Sequence, residues 1–476
     1  MNRAGGSALG LYISIPFCRS KCTYCNFASG VYPASEHARY VERVIADLAI
    51  ARAWAGGAGA ELPRRVDSVY LGGGTPTLLA PALLNRLFAA MRAEFDFDTD
   101  AEITVECAPG QLPDETLDAL VACGVNRVSL GVQSFIDREA RESGRLHNRA
   151  TVEQDLGRLR AAGIANLSID LIAGLAAQTV ASWEQSLAAL VGSAIPHASV
   201  YMLEVDEDSR LGREMLAKGA RYHAGLVPGD DAIARMYERA IERLAEAGLQ
   251  QYEISNFSRP GFQSRHNLRY WQRRPYLGVG LDASSMLCEA SSSPGSSVGR
   301  ASNAAESLPD IVPGNDFRHS SNAGSSRPGT GKSRPGTEKS RPGLVSGHDF
   351  SRAEEAPKST GALAPAYILR ATTTDDLKAY LDASAPPETA WLSPARQHEE
   401  AWFLGLRLNA GVRVAELERE FGREPVARAM ETVARLANDG LLHSDGQTVR
   451  LTARGRMISN DVFQEFLDLA AEPATR

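Results

Sequence analysis

From residue 10 to about residue 255, short β-rich runs alternate with longer helical patterns, and this alternation limits the fold more than any other feature of the chain. The runs are LYISI (11–15), VDSVYL (66–71), EITVE (102–106), NRVSLGV (126–132), NLSIDLI (166–172) and ASVYML (198–203). Between them lie Ala/Leu/Glu/Arg-rich segments such as YVERVIADLAIARAW and SWEQSLAALVG. Strand and helix in turn predict six βα units around a parallel sheet, and a seventh short run, QQYEIS (250–255), follows. Function in such sheets sits on loops at the carboxyl ends of strands, so the residues just after each run carry the most information. Periodicity leaves open whether the sheet closes into a barrel.

Composition narrows the class. A chain of 476 residues, 43% hydrophobic, can bury a large core and is long enough for more than one domain. A net charge of −7 and the lack of a long Lys/Arg run argue against nucleic acid as a partner. The opening MNRAGGSALG has no apolar run of a secretory signal, and no stretch approaches the roughly 20 apolar residues of a membrane span. A cytoplasmic location is expected. Six cysteines, three clustered near the start and the others at Cys107, Cys123 and Cys288, do not form a disulfide framework. A reduced compartment and a metal fit them better.

Four regions follow: a β/α core over 1–255, a connecting region over 256–287, an insertion over 288–360 and a C-terminal module over 361–476. The insertion is dominated by Ser, Gly, Pro and charged residues and repeats an SRPG unit at Ser326, Ser333 and Ser340, so disorder is expected. Its GTGKS lacks the strand and helix that shape a phosphate-binding loop. The C-terminal module has three helical patterns, a hairpin turning at DG and a last helix, a winged-helix arrangement. Its near-balanced charge favours a structural or substrate-covering role over DNA binding.

CRSKCTYC (18–25) follows the first run directly. A zinc site normally takes four Cys/His ligands, and no second pair is evident. A thioredoxin-type pair would leave Cys18 unexplained. Three thiolates in a tight loop fit an iron–sulfur cluster with one iron open to a small ligand. LGGGTPT (71–77) ends the second run, where glycines let backbone groups approach a ligand. Glu106, Gln133 and Asp170 stand at the ends of the third, fourth and fifth runs, and their shared rim favours ligand binding over three unrelated surface positions.

The spacing C-x3-C-x2-C, with an aromatic before the last cysteine, resembles the signature of the radical S-adenosylmethionine (SAM) superfamily. With GGGTPT, ITVECAPG, RVSLGVQSF, GRLHNRA and LSIDLIAGL, the chain looks like the oxygen-independent coproporphyrinogen III oxidase-like branch, over nearly all residues outside the insertion. The resemblance implies an α/β fold: a partial (β/α)6 radical SAM barrel with a C-terminal winged-helix-like α+β module. It implies a [4Fe–4S] cluster on Cys18, Cys22 and Cys25, and SAM contacts from Tyr12, Tyr24, Gly73, Gly74, Thr75, Glu106, Gln133, Arg145 and Asp170. Two features divide the branch. Coproporphyrinogen dehydrogenases resemble C-x3-C-x2-C-x-C, and here the last position is Phe27. The stretch HNLRYW (266–271) resembles the H-N-x-x-Y-W motif of the heme chaperones.

That resemblance implies heme as third cofactor, delivery to heme-accepting respiratory proteins, an electron donor, and peripheral membrane association through partners. His266 would supply an axial nitrogen, with Tyr270 and Trp271 as flat apolar surface. The same residues serve equally as a packed cap over the barrel. Relatives commonly carry a histidine shortly after this motif where the present chain has Ser284. The alternative is an anaerobic coproporphyrinogen III oxidase that uses a SAM-derived radical for decarboxylation.

Overall fold

The structure is a computed structural model that describes residues 8–290 and 367–467. Most of the expected insertion, including GTGKS and the SRPG repeats, lies outside the described residues. Six parallel strands stand side by side in chain order: β1 (Leu9–Ile15), β2 (Arg65–Gly73), β3 (Asp96–Cys107), β4 (Arg127–Gln133), β5 (Asn166–Ala173) and β6 (His197–Met202). Each matches one of the six runs.

Period-2 alternation sorts these strands' side chains into two sets. One face, with Leu11, Ile13, Val69, Leu71, Val105, Leu130, Ile169 and Val200, is fully or nearly fully buried in the hydrophobic core that includes the surrounding helices. The other face carries Tyr12, Ser14, Ser68, Tyr70, Thr104, Glu106, Arg127, Ser129, Ser168, Asp170, His197 and Ser199 at alternate positions. The inside of the curved sheet is therefore polar rather than filled with Val, Ile and Leu.

The chain adds β7 (Gln250–Gln251), β8 (Asn256–Ser258), β9 (Tyr276–Val279), β10 (Ser284–Cys288), β11 (Ile368–Thr372) and β12 (Glu388–Leu392) to the same sheet. Its order is β12-β11-β10-β9-β1-β2-β3-β4-β5-β6-β8-β7, so the barrel stays open. The seventh run does not continue the parallel pattern. Glu253 breaks it: its carboxylate accepts from the Ser255 backbone N–H at 2.9 Å and from Asn256, and its carbonyl accepts from Asn256 N at 3.3 Å. The reversed chain then pairs antiparallel with β6 through β8. On the other side β10 and β11 form a hairpin with Cys288 opposite Ile368, so the two ends of the undescribed segment meet at one place.

The C-terminal module has the expected helices, Pro394–Arg407, Val414–Phe421 and Arg423–Asn438, and a small sheet of β13 (Val412–Arg413), β14 (Leu442–Ser444) and β15 (Thr448–Leu451). Its hairpin turns at Asp445 and Gly446; the Asp445 carboxylate accepts the Gln447 and Thr448 N–H groups at 2.8 and 2.7 Å. The module docks on the barrel through Arg407 and Glu253, a fully buried pair at 3.4 Å, and through Asn409, which donates to Gln251 O at 2.7 Å. Among the described residues no helix is long and apolar enough to cross a membrane.

HNLRYW forms the helix Arg265–Trp271, lodged inside the sheet. The buried Glu102 carboxylate caps it, accepting the Arg265 and His266 N–H groups, both at 3.1 Å. Arg269, fully buried, pairs with Asp67 and donates to the Ala8 and Pro275 carbonyls at 2.8 Å each. Gly10 makes this possible, since a Cβ there would stand 2.5 Å from Arg269 Cδ. Gly10→Ala is expected to cost about 1–3 kcal/mol of stability, an overpacking penalty, read as a lower denaturation midpoint; an unchanged midpoint would show that Arg269 relocates freely.

Candidate functional site

A cavity of about 720 Å³ opens at the carboxyl ends of the parallel strands. One wall is the cysteine loop. After β1 the chain crosses Pro16 and Phe17, and the neck is closed by Cys18 N to Gly30 O and Gly30 N to Pro16 O, both 2.8 Å. Lys21 Nζ ties the loop internally to Phe27 O (2.5 Å) and Ser29 O (2.8 Å). Its outer side is fastened by Thr23 N to Ser143 O (3.0 Å), Leu211 N to Thr23 O (2.8 Å) and Asn26 to Asp206 (3.2 Å). Backbone and side-chain contacts thus brace the loop from both sides.

Cys18, Cys22 and Cys25 all line the cavity, and all six cysteines are free thiols. Among the described residues no three Cys, His, Asp or Glu side chains converge on a point for a single ion. A mononuclear zinc site needs such convergence. A cluster does not, because each thiolate meets a different iron. Three thiols on one cavity wall are a donor set that fits such a cluster.

The three glycines at the end of β2 do different work. A Cβ on Gly72 would stand 3.0 Å from the Glu106 carboxyl. Gly73 has φ +93°, which favours glycine, and the Tyr12 hydroxyl lies 3.4 Å from where its Cβ would be. A Cβ on Gly74 would lie 2.7 Å from Ile15 O and 2.8 Å from Phe17 O, and the next N–H, of Thr75, donates to Phe17 O at 2.7 Å. Gly74 and Thr75 are thus where the cysteine loop is seated on the sheet.

Glu106 and Asp170 face the same cavity. Tyr70 donates its hydroxyl to Glu106 at 2.8 Å, and Ser129 donates to Asp170 at 3.2 Å. Burial pushes the Glu106 carboxyl up to about 7, against the pull of the Tyr70 hydrogen bond, and Asp170 raises it further. Burial also raises Asp170 itself. Two half-buried carboxyls that are costly to ionise side by side suit a cationic ligand, which would restore their charged forms. Gln133 adds a second sign of a ligand site: it has φ +67°, uncommon for a residue other than glycine, and its buried Oε1 has no hydrogen-bond partner. Arg145 bonds to Gly131 O and approaches Cys22 Sγ at 3.6 Å.

Of the residues singled out in the sequence, Cys18, Cys22, Cys25, Tyr24, Gly73, Gly74, Thr75, Glu106, Gln133, Arg145 and Asp170 line this one cavity. Tyr12 lies beside it, with its ring near Tyr70 (6.2 Å) and His266 (6.4 Å). The motif residues do not line it. His266 is fully buried, with Nδ1 at 3.1 Å from Ser68 Oγ and Nε2 at 2.9 Å from the Tyr270 hydroxyl. Burial, then the Arg269 and Arg127 charges, hold it well below its ordinary range, so it is neutral. Trp271 is buried under the Arg407 guanidinium, 4.1 Å from the ring centroid. Ser284 begins β10, with its hydroxyl 3.2 Å from that of Thr372.

Sequence reasoning missed Tyr70, Lys21 and the far wall, where Arg407, Ser459 and Asn460 of the C-terminal module join the loop after β6. Tyr70 was within reach, since it alternates with Val69 and Leu71 on the polar face. The far wall had no local signal.

Comparison with known proteins identifies the family and the fold. Residues 12–190 match the Radical SAM superfamily, and residues 392–458 the HemN C-terminal domain. The superfamily match implies a [4Fe–4S] cluster and SAM. The heme chaperone HemW of Lactococcus lactis is 29% identical over 458 residues, covering 96% of each chain. HemW of Escherichia coli is 33% identical over 276 residues, 58% of this chain and 69% of that one. The fold is similar to that of coproporphyrinogen III oxidase (HemN) from Escherichia coli, with a TM-score of 0.69 at 21% identity over 97% of this chain and 90% of that one.

Two measurements probe the site. Gly74→Ala should displace the cysteine loop, because the added methyl meets backbone that cannot rotate away; the expected result is a folded protein that retains little iron, and full iron content would contradict that seating. For Glu106, the unfolded carboxyl releases its proton near 4.5 and the folded one near 7. Across that interval the native state holds more protons, so the stability of ligand-free protein should fall as pH rises, by on the order of 1–3 kcal/mol, and Glu106→Gln should flatten the slope. An identical pH profile for the variant would remove Glu106 as the source.

Proposed function

Because the chain belongs to the HemW heme chaperone family of radical SAM proteins, we propose that it binds heme and passes it to respiratory heme proteins. In this reading Cys18, Cys22 and Cys25 hold a [4Fe–4S] cluster. Tyr12, Tyr24, Gly73, Gly74, Thr75, Glu106, Gln133, Arg145 and Asp170 hold SAM. An external one-electron donor serves the cluster, and the cytoplasm is the site of action. The supporting observation is a single cavity carrying three thiols and two half-buried carboxyls, in a chain that follows HemW relatives over its length and has Phe27 where the coproporphyrinogen dehydrogenase pattern has a further cysteine.

Heme contact through His266, Tyr270 and Trp271 would require the core around the motif helix to open, since both His266 nitrogens are hydrogen-bonded. Closed, the motif serves as the packed floor of the half-barrel. SAM bound against Glu106 and Asp170 would supply a reducible sulfonium at the cluster's open iron, and the coproporphyrinogen oxidase reading rests on that same cavity.

Anaerobically reconstituted protein should take up hemin with a Soret band; no uptake, together with protoporphyrinogen IX formed from coproporphyrinogen III with SAM and reductant, would sink the chaperone reading. His266→Ala should change the heme spectrum while cluster absorption stays, and an unchanged spectrum assigns His266 to packing alone. Cys22→Ala should lose cluster iron, because only two thiolates remain; retained iron would remove Cys22 from the ligand set.

A further inference from the structure

The segment that follows the fourth strand is built to hold a guanidinium against one cysteine of the loop. Arg145 Nη1 stands 3.6 Å from Cys22 Sγ, and Nη2 is anchored on Gly131 O. Both ends of this clamp depend on glycine. A Cβ on Gly131 would fall 2.9 Å from Nη2. Gly144, with φ +90°, lets its backbone pass Cys22, where a Cβ would meet Cys22 Cα at 3.2 Å and Lys21 O at 3.3 Å. Beside it, Ser143 O accepts the Thr23 N–H at 3.0 Å, and Arg145 N bonds to Ala140 O at 2.9 Å, so the segment is tied to the loop. Among the described residues no carboxylate forms an ion pair with Arg145. Its charge is directed at the sulfur.

We propose that Arg145 sets the reduction potential of the cluster by donating to Cys22 Sγ, a role separate from any contact with SAM. The proposal rests on the reading that Cys22 ligates a [4Fe–4S] cluster. On reduction the cluster accepts one electron from an external donor, no bond forms or breaks, and the cluster gains negative charge. A fixed cation and an N–H donor at a ligand sulfur stabilise the reduced state more than the oxidised one, and a site shielded from water strengthens the effect. Arg145 is thus a positioning residue for electron entry.

The test is an EPR-monitored potentiometric titration of the full chain, reconstituted anaerobically, with no SAM present. Arg145→Gln should keep its iron but show, at a fixed applied potential, a reduced-to-oxidised ratio at least about tenfold below wild type, equivalent to 59 mV for a one-electron couple. Arg145→Lys, which keeps the charge, should stay near wild type. A wild-type ratio in Arg145→Gln overturns the proposal, as does a difference that emerges only when SAM is added. Loss of iron from both variants makes Arg145 a packing support and overturns it too. Loss from Arg145→Gln alone would show that the charge retains the cluster rather than setting its potential, and overturns it as well. A wild-type protein that shows no cluster signal would instead refute the metal reading of the three cysteines.

Discussion

The backbone contact between the cysteine loop and the end of β2 is the constraint on which the site depends. Phe17 O accepts the Thr75 N–H at 2.7 Å, and Gly74 leaves room for Ile15 O and Phe17 O where any side chain would stand. Strand pairing between β1 and β2 fixes the height of both loops, with Ile15 opposite Gly73. Three thiols are thereby placed over the ends of β3, β4 and β5, where Glu106, Gln133 and Asp170 wait. A cluster loop free to move would face the same residues only part of the time.

The polar lining of the half-barrel follows from its openness. A closed parallel barrel fills its centre with branched apolar side chains. Here the inner face must receive a polar ligand at one end and a polar helix at the other, so alternate positions carry Tyr, Ser, Glu, Arg and His. Burial then needs partners, and most are present: Tyr70 for Glu106, Ser129 for Asp170, Glu102 for the motif helix, Tyr252 at 2.9 Å from His197. Among the described residues Gln133 Oε1 has no partner, and on the same inner face Thr104 Oγ1 and Arg127 Nε also lack one.

The C-terminal module belongs to this same construction. Arg407 touches three parts at once: it pairs with Glu253 at the chain reversal, covers Trp271 of the motif helix, and forms part of the cavity wall. Removing the module would expose a buried carboxylate and open the far side of the cavity.

Much of this was legible from sequence because it is local. Six βα repeats, the C-x3-C-x2-C spacing and the DG hairpin are patterns over a few residues, governed by strand alternation, thiol chemistry and turn geometry. The reach of the seventh run was not, since QQYEIS has strand composition and only the Glu253 side chain, folding back on Ser255 and Asn256, shows that the chain reverses there. The motif HNLRYW left two uses open for the same residues, and packing inside the sheet closed both His266 nitrogens with Ser68 and Tyr270, nearly 200 positions and four positions away. Sequence by itself determined which reactive side chains stand at the strand ends and the order of the strands along the chain. Tertiary structure alone decided which side chains face the cavity and which support it, because that depends on contacts between residues far apart in the chain, and no local period records them.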